Sequence, residues 1–204
     1  MLKISISALI VTVVSSNLFT VNPSVAGTDG SGLDSSASKT YIVNRAITES
    51  EVLAAQRAWG EALVDISIIY ETKGIQAAKT LAEKVIDEVY AYQLGAVLFN
   101  PTLAKAPQAF RTSRAGAIAY FVGNDPNFPM DTGFALEGWR KVEIKNVAMF
   151  FYGTTATTMG NVILTDKDGM ATTVDKTWQF IKDDNGRVRI VLHHSSLPYG
   201  AKIS

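Results

Sequence analysis

The chain of 204 residues contains no cysteine and only two histidines. Without cysteine there is no disulfide framework, so the fold must be stabilised by packing. A catalytic zinc site commonly takes three protein ligands from histidine, cysteine and carboxylates, so this shortage disfavours a bound metal. Lysine plus arginine and aspartate plus glutamate number 19 each, and no basic stripe indicates nucleic acid or a membrane surface as a partner.

Long apolar runs are also missing, apart from one near the N-terminus. Residues 4–14 are apolar but too few to span a bilayer as a helix, Lys3 precedes them, and the small residues Ser24 and Ala26 follow. This is the pattern of a cleavable signal peptide over residues 1–26. We therefore expect an exported protein, periplasmic or secreted, with a flexible leader over 27–46 and one domain over 47–204.

The pattern in the first half of that domain predicts helices. Thr48 and Glu51 have the spacing of a capping box, and Gly74 is a candidate C-terminal cap for the helix that follows. A second helix is expected over residues 75–93 and a short third one within 111–124. Between them, residues 97–101 read as a short extended piece. The predicted apolar stripes are Val52, Trp59, Leu63, Ile66 and Tyr70 on the first helix, and Leu81, Val85, Ile86 and Val89 on the second.

From Gly133 onward the pattern changes to that of strands. Segments rich in valine, isoleucine, threonine and aromatics, the first beginning at Phe134, are separated by DKDG at 166–169 and DDNG at 183–186. The dipeptide Asn185-Gly186 favours a type I′ hairpin. Helices followed by long strands predict an α+β domain, with the N-terminal helices packed on one face of a curved antiparallel sheet.

The two histidines are adjacent, at 193 and 194, where the last predicted strand ends. Side chains alternate between the faces of a strand, so His193 shares a face with Ser195, and His194 shares the other with Ser196. Chelation of one metal by the pair is therefore disfavoured. The sequence does not show which face meets a pocket. There is no HExxH, no phosphate-binding glycine loop and no GxSxG elbow.

Several segments carry a resemblance to a known family. The order of helices and strands resembles the cone-shaped nuclear transport factor 2-like fold, close to the association domain of calcium/calmodulin-dependent kinase. Within that superfamily, the terminal HHSS strand followed by proline resembles the iota class of carbonic anhydrases. The similar segments are FNPT at 99–102, AIAYFVG at 117–123, GTTATTMGNV at 153–162, KTWQF at 176–180 and HHSSLPY at 193–199.

The resemblance implies reversible hydration of carbon dioxide to bicarbonate, without a cofactor. Manganese or zinc is possible in principle but disfavoured by the histidine and cysteine count. Carried over to this chain, the hydroxyls that hold the anion are those of Thr102, Tyr120 and Ser195. The residues expected to form the apolar wall of the pocket are Phe99, Phe121, Phe150 and Trp178. His193, and less directly His194, is the expected proton carrier.

Each of these residues also has a structural interpretation. Thr102 after Pro101 can cap a turn, Tyr120 can be a core aromatic with its hydroxyl at the surface, and the histidines can be buried or solvated. Arg111 and Arg114 can attract bicarbonate to a pocket mouth or simply form a solvated helix face.

Two alternatives to the hydration reaction stay open at this stage. One is a non-catalytic module that binds a small ligand or drives oligomerisation, and the other is a cone-fold isomerase or cyclase with an acidic base. Related folds pair through their sheets, so a homodimer is expected.

Overall fold

A computed structural model describes residues 44–200, so the predicted signal peptide and residues 27–43 of the predicted leader lie outside the described residues. Helices come first and strands dominate the second half, as predicted. The elements are α1 (Glu49–Lys73), α2 (Ile75–Val89), β1 (Leu98–Asn100), α3 (Arg114–Val122), a 3-10 helix (Phe134–Leu136), β2 (Trp139–Tyr152), β3 (Thr155–Asp166), β4 (Ala171–Lys182) and β5 (Val188–Ser196).

The start of α1 confirms the capping box. The Thr48 hydroxyl accepts the Glu51 amide at 3.3 Å, and the Glu51 carboxylate accepts the Thr48 amide at 2.9 Å. The helix ends at Gly74, whose φ of 80° suits glycine and whose amide donates to the Tyr70 carbonyl at 2.9 Å. Gly74 therefore separates α1 from α2 without a longer loop.

Helix α2 is shorter than the sequence predicts. It ends at Val89 because Tyr90 adopts an extended conformation, with φ −103° and ψ 156°. Its fully buried positions are Ala78, Ala82 and Ile86, so the small residues face the core and three of the four predicted stripe residues are only half-buried. Tyr70, at the end of the predicted α1 stripe, is 37% exposed. The early end of α2 frees the Tyr90 side chain to enter the core.

The sheet has the strand order β1-β5-β4-β3-β2. Its long strands pair antiparallel as predicted, but β1 lies parallel to β5, with Phe99 opposite His193. The expected antiparallel sheet is confirmed for the long strands, and this parallel edge was not predicted, because three residues give too little pattern to indicate a pairing direction. The first long strand also begins at Trp139 rather than Phe134, since the left-handed Gly133 leads into the 3-10 helix.

Two similar aspartate turns connect the last three strands. The Asp166 carboxylate accepts the amides of Asp168 and Met170, and the Asp183 carboxylate accepts those of Asn185 and Arg187. In the second turn only Gly186 has a positive φ, of 77°. The predicted type I′ turn was wrong: side-chain bonds from Asp183 favour a turn from 183 to 186 that closes with a left-handed glycine.

The helices cover one face of the sheet, which we call the inner face. The buried apolar residues that β3 and β4 place on it are Ala156, Val162, Leu164, Val174, Trp178 and Phe180. Phe150 lies on the opposite, outer face and is 69% exposed, so its predicted place in the pocket lining was wrong. Because Phe150 and Phe151 are neighbours on a strand, a single step of register decides which of them points inward. Within residues 44–200, no helix is both long and apolar enough to cross a membrane.

Candidate active site

The end of β5 confirms the predicted alternation and shows which histidine faces inward. His193 and Ser195 are 2% and 6% exposed on the inner face. His194 and Ser196 are exposed on the outer face. His194 is therefore separated by the sheet from any site beneath the helices, so the structure does not bring it to the other predicted residues.

Thr102 is brought to Ser195 by the parallel pairing of β1. Phe99 lies opposite His193, so the chain that continues past β1 leaves at the same end of the sheet as Ser195. The Thr102 hydroxyl donates to the Ser195 hydroxyl at 2.8 Å. The predicted pair of hydroxyls thus forms a direct contact.

Tyr120 enters the same region from α3, a helix whose last seven residues are all buried. Ser113 caps its start by accepting the Gly116 amide at 3.2 Å. The Tyr120 side chain is buried rather than at the surface. Burial raises the pKa of Tyr120 well above its ordinary value. At neutral pH the side chain is therefore a phenol that can donate a hydrogen bond, and a tyrosinate is strongly disfavoured.

These side chains surround a small enclosed space, which we call the inner cavity. It is lined by Trp59, Phe99, Pro101, Thr102, Tyr120, Phe121, Phe134, Val174, Lys176, His193 and Ser195. The volume open to the centre of a water-sized molecule is about 10 Å³, close to the minimum that holds one water. An anion of four heavy atoms therefore needs some of the lining side chains to move.

Of the predicted apolar lining, Phe99 and Phe121 are in place and Trp178 is not. Trp178 packs one layer behind the cavity, with its ring centre 5.7 Å from that of His193. The position closest to the hydroxyls on this strand is instead Lys176, which lies directly opposite Ser195 in the register of β4 and β5. Lys176 and Trp178 are two positions apart on the strand, so both point inward, at different depths.

A second cavity lies outside the first and shares Tyr120 and Phe134 with it. Its volume is about 190 Å³ and its lining includes Leu103, Lys105 and Glu137. Tyr120 and Phe134 stack with ring centres 5.5 Å apart, so these two rings separate the outer cavity from the inner one. Partial desolvation raises the pKa of Glu137, which lines this outer cavity although the residue as a whole is exposed.

A chain of buried polar groups, which sequence reasoning missed, runs beneath the inner cavity. The Trp59 indole donates to the Tyr90 hydroxyl at 3.0 Å, and that hydroxyl lies 2.8 Å from His193 Nδ1. His193 Nε2 lies 2.7 Å from Lys176 Nζ. One sequence signal was available: Lys176 occupies the same alternating positions of β4 as Val174, Trp178 and Phe180, which are apolar and buried.

Burial lowers the pKa of both nitrogen bases among these buried groups, Lys176 and His193. It lowers the pKa of the Lys176 ammonium to about 7, because no compensating charge replaces the lost water. It also holds the pKa of His193 well below 6.5, with the nearby Lys176 charge as a further cause. His193 is therefore neutral at neutral pH, which weakens its predicted role as a simple proton carrier.

The two arginines predicted near a pocket mouth have different environments, and neither is a free cation. Arg111 is 2% exposed, pairs with buried Asp131 at 2.6 Å and lies over the Phe128 ring. The interpretation of Arg111 as part of a solvated helix face was wrong, since it precedes α3 and its guanidinium is enclosed. Arg114 begins α3 and pairs with Asp87 at the surface.

The side chains of residues 44–200 form no group of three histidines, cysteines or carboxylates arranged to hold a metal ion. The inner cavity offers hydroxyls, an amine, an imidazole and aromatic rings, and its lining contains no carboxylate. Such a set can orient a small neutral molecule, donate hydrogen bonds to an anion and accept a proton. An isomerase or cyclase that needs an acidic base in the cavity is not supported by this lining.

Comparison with known proteins gives a consistent result. The family model described as metal-independent carbonic anhydrase matches residues 50–197. A protein of Nostoc sp. (strain PCC 7120 / SAG 25.82 / UTEX 2576) with that same description is 72% identical over 164 residues, which is 80% of each chain.

Two solved structures extend the comparison. A crystal structure of a cyanobacterial iota-carbonic anhydrase complexed with bicarbonate superposes with a TM-score of 0.78 at 72% identity, covering 80% of this chain and 99% of that one. A calcium/calmodulin-dependent protein kinase II association domain from Xanthomonas campestris is more distant, with 24% identity and a TM-score of 0.49 over 80% of this chain and all of that one.

Proposed function

The chain belongs to the metal-independent carbonic anhydrases, the iota class, and on that premise we propose that it interconverts carbon dioxide and bicarbonate in the inner cavity. The observation that carries the location is the 2.8 Å contact between the Thr102 and Ser195 hydroxyls in a cavity that Tyr120 also lines. The family is metal-independent, so the chemistry rests on side chains alone.

The cavity suits a substrate that is apolar and a product that is an anion. Carbon dioxide partitions into a space walled by rings such as Phe99, Phe121 and Phe134. As the oxygen of a water molecule attacks the carbon, negative charge develops on the oxygens of the product. Donors that are already oriented in a water-poor site stabilise that charge more than bulk water does.

The hydrogen-bonding capacity of the three hydroxyls determines what each can do in the reaction. Each hydroxyl has one donor and two acceptor positions, so it can accept from the attacking water and donate to the developing anion. In the resting protein, Thr102 donates to Ser195, which leaves the Ser195 hydrogen free to turn toward the cavity. Burial keeps Tyr120 protonated at neutral pH, so its hydroxyl hydrogen is available to donate. Thr102, Tyr120 and Ser195 are thus the proposed substrate-binding groups.

The activity is tested by stopped-flow hydration of carbon dioxide after exhaustive chelation. We expect the purified chain to remain active, and added manganese or zinc to give no increase. The matched control is Ser196→Ala, which removes a hydroxyl next to Ser195 on the outer face. No hydration above the buffer rate, with or without metal, would contradict the proposed function and revive a non-catalytic binding module.

We also propose that two copies associate through the outer face of the sheet. Large apolar side chains are gathered there, with Val147, Phe150, Tyr152 and Met159 each 59% exposed or more. Burying such a patch against its own copy favours association. Sedimentation equilibrium is expected to give a dimer for the wild type and a monomer for Phe150→Glu. Leu94→Glu, at an exposed apolar site away from the strands, serves as the control and should stay dimeric. A monomeric wild type would refute this.

Export of the protein is a further proposal, supported by the pattern of Lys3, the apolar run 4–14 and the small residues at 24 and 26. Mass spectrometry of protein from the native host is expected to find a mature chain beginning at Gly27. A mature chain that retains the first residues would show that this segment is not a cleaved signal.

A further inference from the structure

Lys176 is a buried amine placed beside the proposed substrate-binding hydroxyls. It is 6% exposed and lies directly opposite Ser195 on the neighbouring strand, with both side chains on the inner face. Directly opposed residues on one face have their Cβ atoms within about 5.5 Å. Its Nζ atom sits over the rings of Trp59 and Trp178, at 5.1 and 5.4 Å. Among residues 44–200, no carboxylate forms an ion pair with it.

The direction of the buried hydrogen bonds fixes the protonation state of this amine. The Trp59 indole nitrogen can only donate, so Tyr90 accepts at that contact. The Tyr90 hydrogen then has one acceptor within the described part of the chain, His193 Nδ1. His193 therefore carries its hydrogen on Nε2 and donates it to Lys176 Nζ at 2.7 Å. A nitrogen that accepts a hydrogen bond must have a lone pair, so the amine is neutral.

The opposite direction is less favourable. If Lys176 donated to His193 Nε2, then Nδ1 would carry the hydrogen and donate to Tyr90. The Tyr90 hydroxyl hydrogen would then be buried without an acceptor in the region that the structure describes, and an unsatisfied buried donor is costly. The arrangement with a neutral Lys176 is the one that gives each donated hydrogen of Trp59, Tyr90 and His193 an acceptor.

We propose that Lys176 is the base that takes the proton from the attacking water, and that Trp59, Tyr90 and His193 hold its amine ready in the neutral form. This assignment rests on the proposed function of the inner cavity. His193 then acts as a positioning residue whose Nε2 hydrogen orients the amine.

The step balances with the groups present. The neutral amine has one lone pair, which must turn from the His193 Nε2 hydrogen toward the attacking water before the transfer. A bond then forms between the water oxygen and the carbon of carbon dioxide, an O–H bond of that water breaks, and the proton joins this lone pair. The products are bicarbonate and an ammonium group, and the attraction between these opposite charges stabilises the anion until it leaves. The ammonium then releases its proton to solvent. A protonated Lys176 cannot accept a hydrogen bond, so at equilibrium in that state His193 loses its Nε2 proton to solvent and gains one from solvent at Nδ1.

The pH dependence follows from the surroundings of the amine. The titratable groups that face it from the packed elements are His193 on β5, Tyr90 after α2 and Tyr120 on α3, while α1 contributes the Trp59 indole. Burial lowers the Lys176 pKa to about 7, and a base is most effective when its pKa lies near the working pH. Hydration by the wild type should rise as pH increases through about 7, because deprotonation produces the active amine.

Nitrogen-15 NMR of the wild type with labelled histidine tests the hydrogen-bond direction independently of activity. The chain has only two histidines, and His194→Gln assigns the signals. At pH 8 we expect His193 to be neutral with its hydrogen on Nε2, and to move toward the Nδ1–H form below pH 7. Tyr90→Phe should weaken the preference for Nε2–H. A His193 that carries its hydrogen on Nδ1 at pH 8, or that is charged there, would overturn the proposal.

Kinetics of Lys176→Met test the role in the reaction. General-base catalysis commonly contributes about 100-fold or more, so we expect kcat to fall by at least that factor and the rise through pH 7 to vanish. Lys145→Met, at an exposed strand lysine, should keep wild-type kinetics. If the wild type is active and Lys176→Met stays within threefold of it with the same pH profile, the base assignment fails while the proposed function stands. An inactive wild type would instead refute the proposed function itself.

Stability against pH gives a second readout that also shows whether the variant folds. Between about pH 7 and the ordinary lysine pKa of 10.5, the unfolded wild type binds a proton that the folded protein does not. Its stability must therefore increase with pH across this window. Urea unfolding at pH 7.5 and 9.5 should show this increase in the wild type and a smaller one in Lys176→Met. Equal pH slopes would contradict a neutral buried amine.

Discussion

Replacing Thr102 by valine is expected to lower kcat/KM for carbon dioxide hydration by about 100-fold, the loss typical for removal of one oriented donor to a developing anion. Valine keeps the volume of threonine but removes the hydroxyl that donates to Ser195 at 2.8 Å. Ser195 then loses its partner, so both hydroxyls of the pair lose their orientation. Ser195→Ala should have a similar effect, and the double variant should lose little more, because the two side chains act together.

Matched substitutions on the outer face separate this effect from a general effect of losing hydroxyls. Thr177→Val and Ser196→Ala change neighbouring strand positions that face away from the helices, and both should stay close to wild-type activity. Stopped-flow assays with chelated protein provide the measurement. If Thr102→Val retained wild-type kcat/KM, the hydroxyl pair would not be part of the reacting site.

Replacing Asp131 by alanine is expected to destabilise the protein by about 3–5 kcal/mol, since removal of one partner leaves a buried charge without compensation. Arg111 and Asp131 pair at 2.6 Å, with side chains only 1% and 4% exposed. The Phe128 ring covers the guanidinium, so water cannot replace the lost carboxylate without local opening. The free energy of unfolding in urea measures this effect.

The chain contains its own control for this prediction. Arg114 and Asp87 pair at the same 2.6 Å, but their side chains are 45% and 54% exposed. Asp87→Ala should cost no more than about 1 kcal/mol, as is usual for exposed ion pairs. A double variant with Arg111→Met and Asp131→Leu should recover most of the loss by removing both charges. Equal losses for Asp131→Ala and Asp87→Ala would show that burial does not determine the strength of these pairs.

Local signals allowed much of this fold to be predicted from the sequence. The capping box at Thr48, the stop at Gly74 and the strand alternation around His193 depend on neighbours within a few residues, and all three are present in the structure. The same alternation correctly separated His193 from His194. These features could be predicted because their causes are local backbone chemistry.

The features that could not be predicted depend on how distant segments meet. The parallel pairing of β1 with β5 places Thr102 beside Ser195, and no short pattern in a three-residue strand specifies that direction. The inward choice between Phe150 and Phe151 depends on strand register. The assignment of Thr102 to the site came from family resemblance rather than from spacing.

The buried amine is the clearest omission. Lys176 stands in a segment that was identified by its strand-forming residues and by its family resemblance, and a lysine on a strand usually indicates a solvated face. Its partners Tyr90 and Trp59 come from the end of α2 and from α1, more than 80 residues earlier in the chain. Only the packing of these helices on β4 and β5 shows that the Lys176 amine is enclosed and that, within residues 44–200, it forms no ion pair with a carboxylate.

A crystal structure of the chelated protein with bicarbonate is the most direct measurement of where the reaction occurs. The proposed site predicts an anion in the inner cavity within hydrogen-bond distance of Thr102 Oγ1, Tyr120 Oη and Ser195 Oγ. It also predicts that Lys176 Nζ lies on the cavity side of the anion and that no metal gives an anomalous signal there. An anion bound elsewhere with an empty inner cavity, or one coordinated to a metal ion, would contradict a metal-free site built from these hydroxyls.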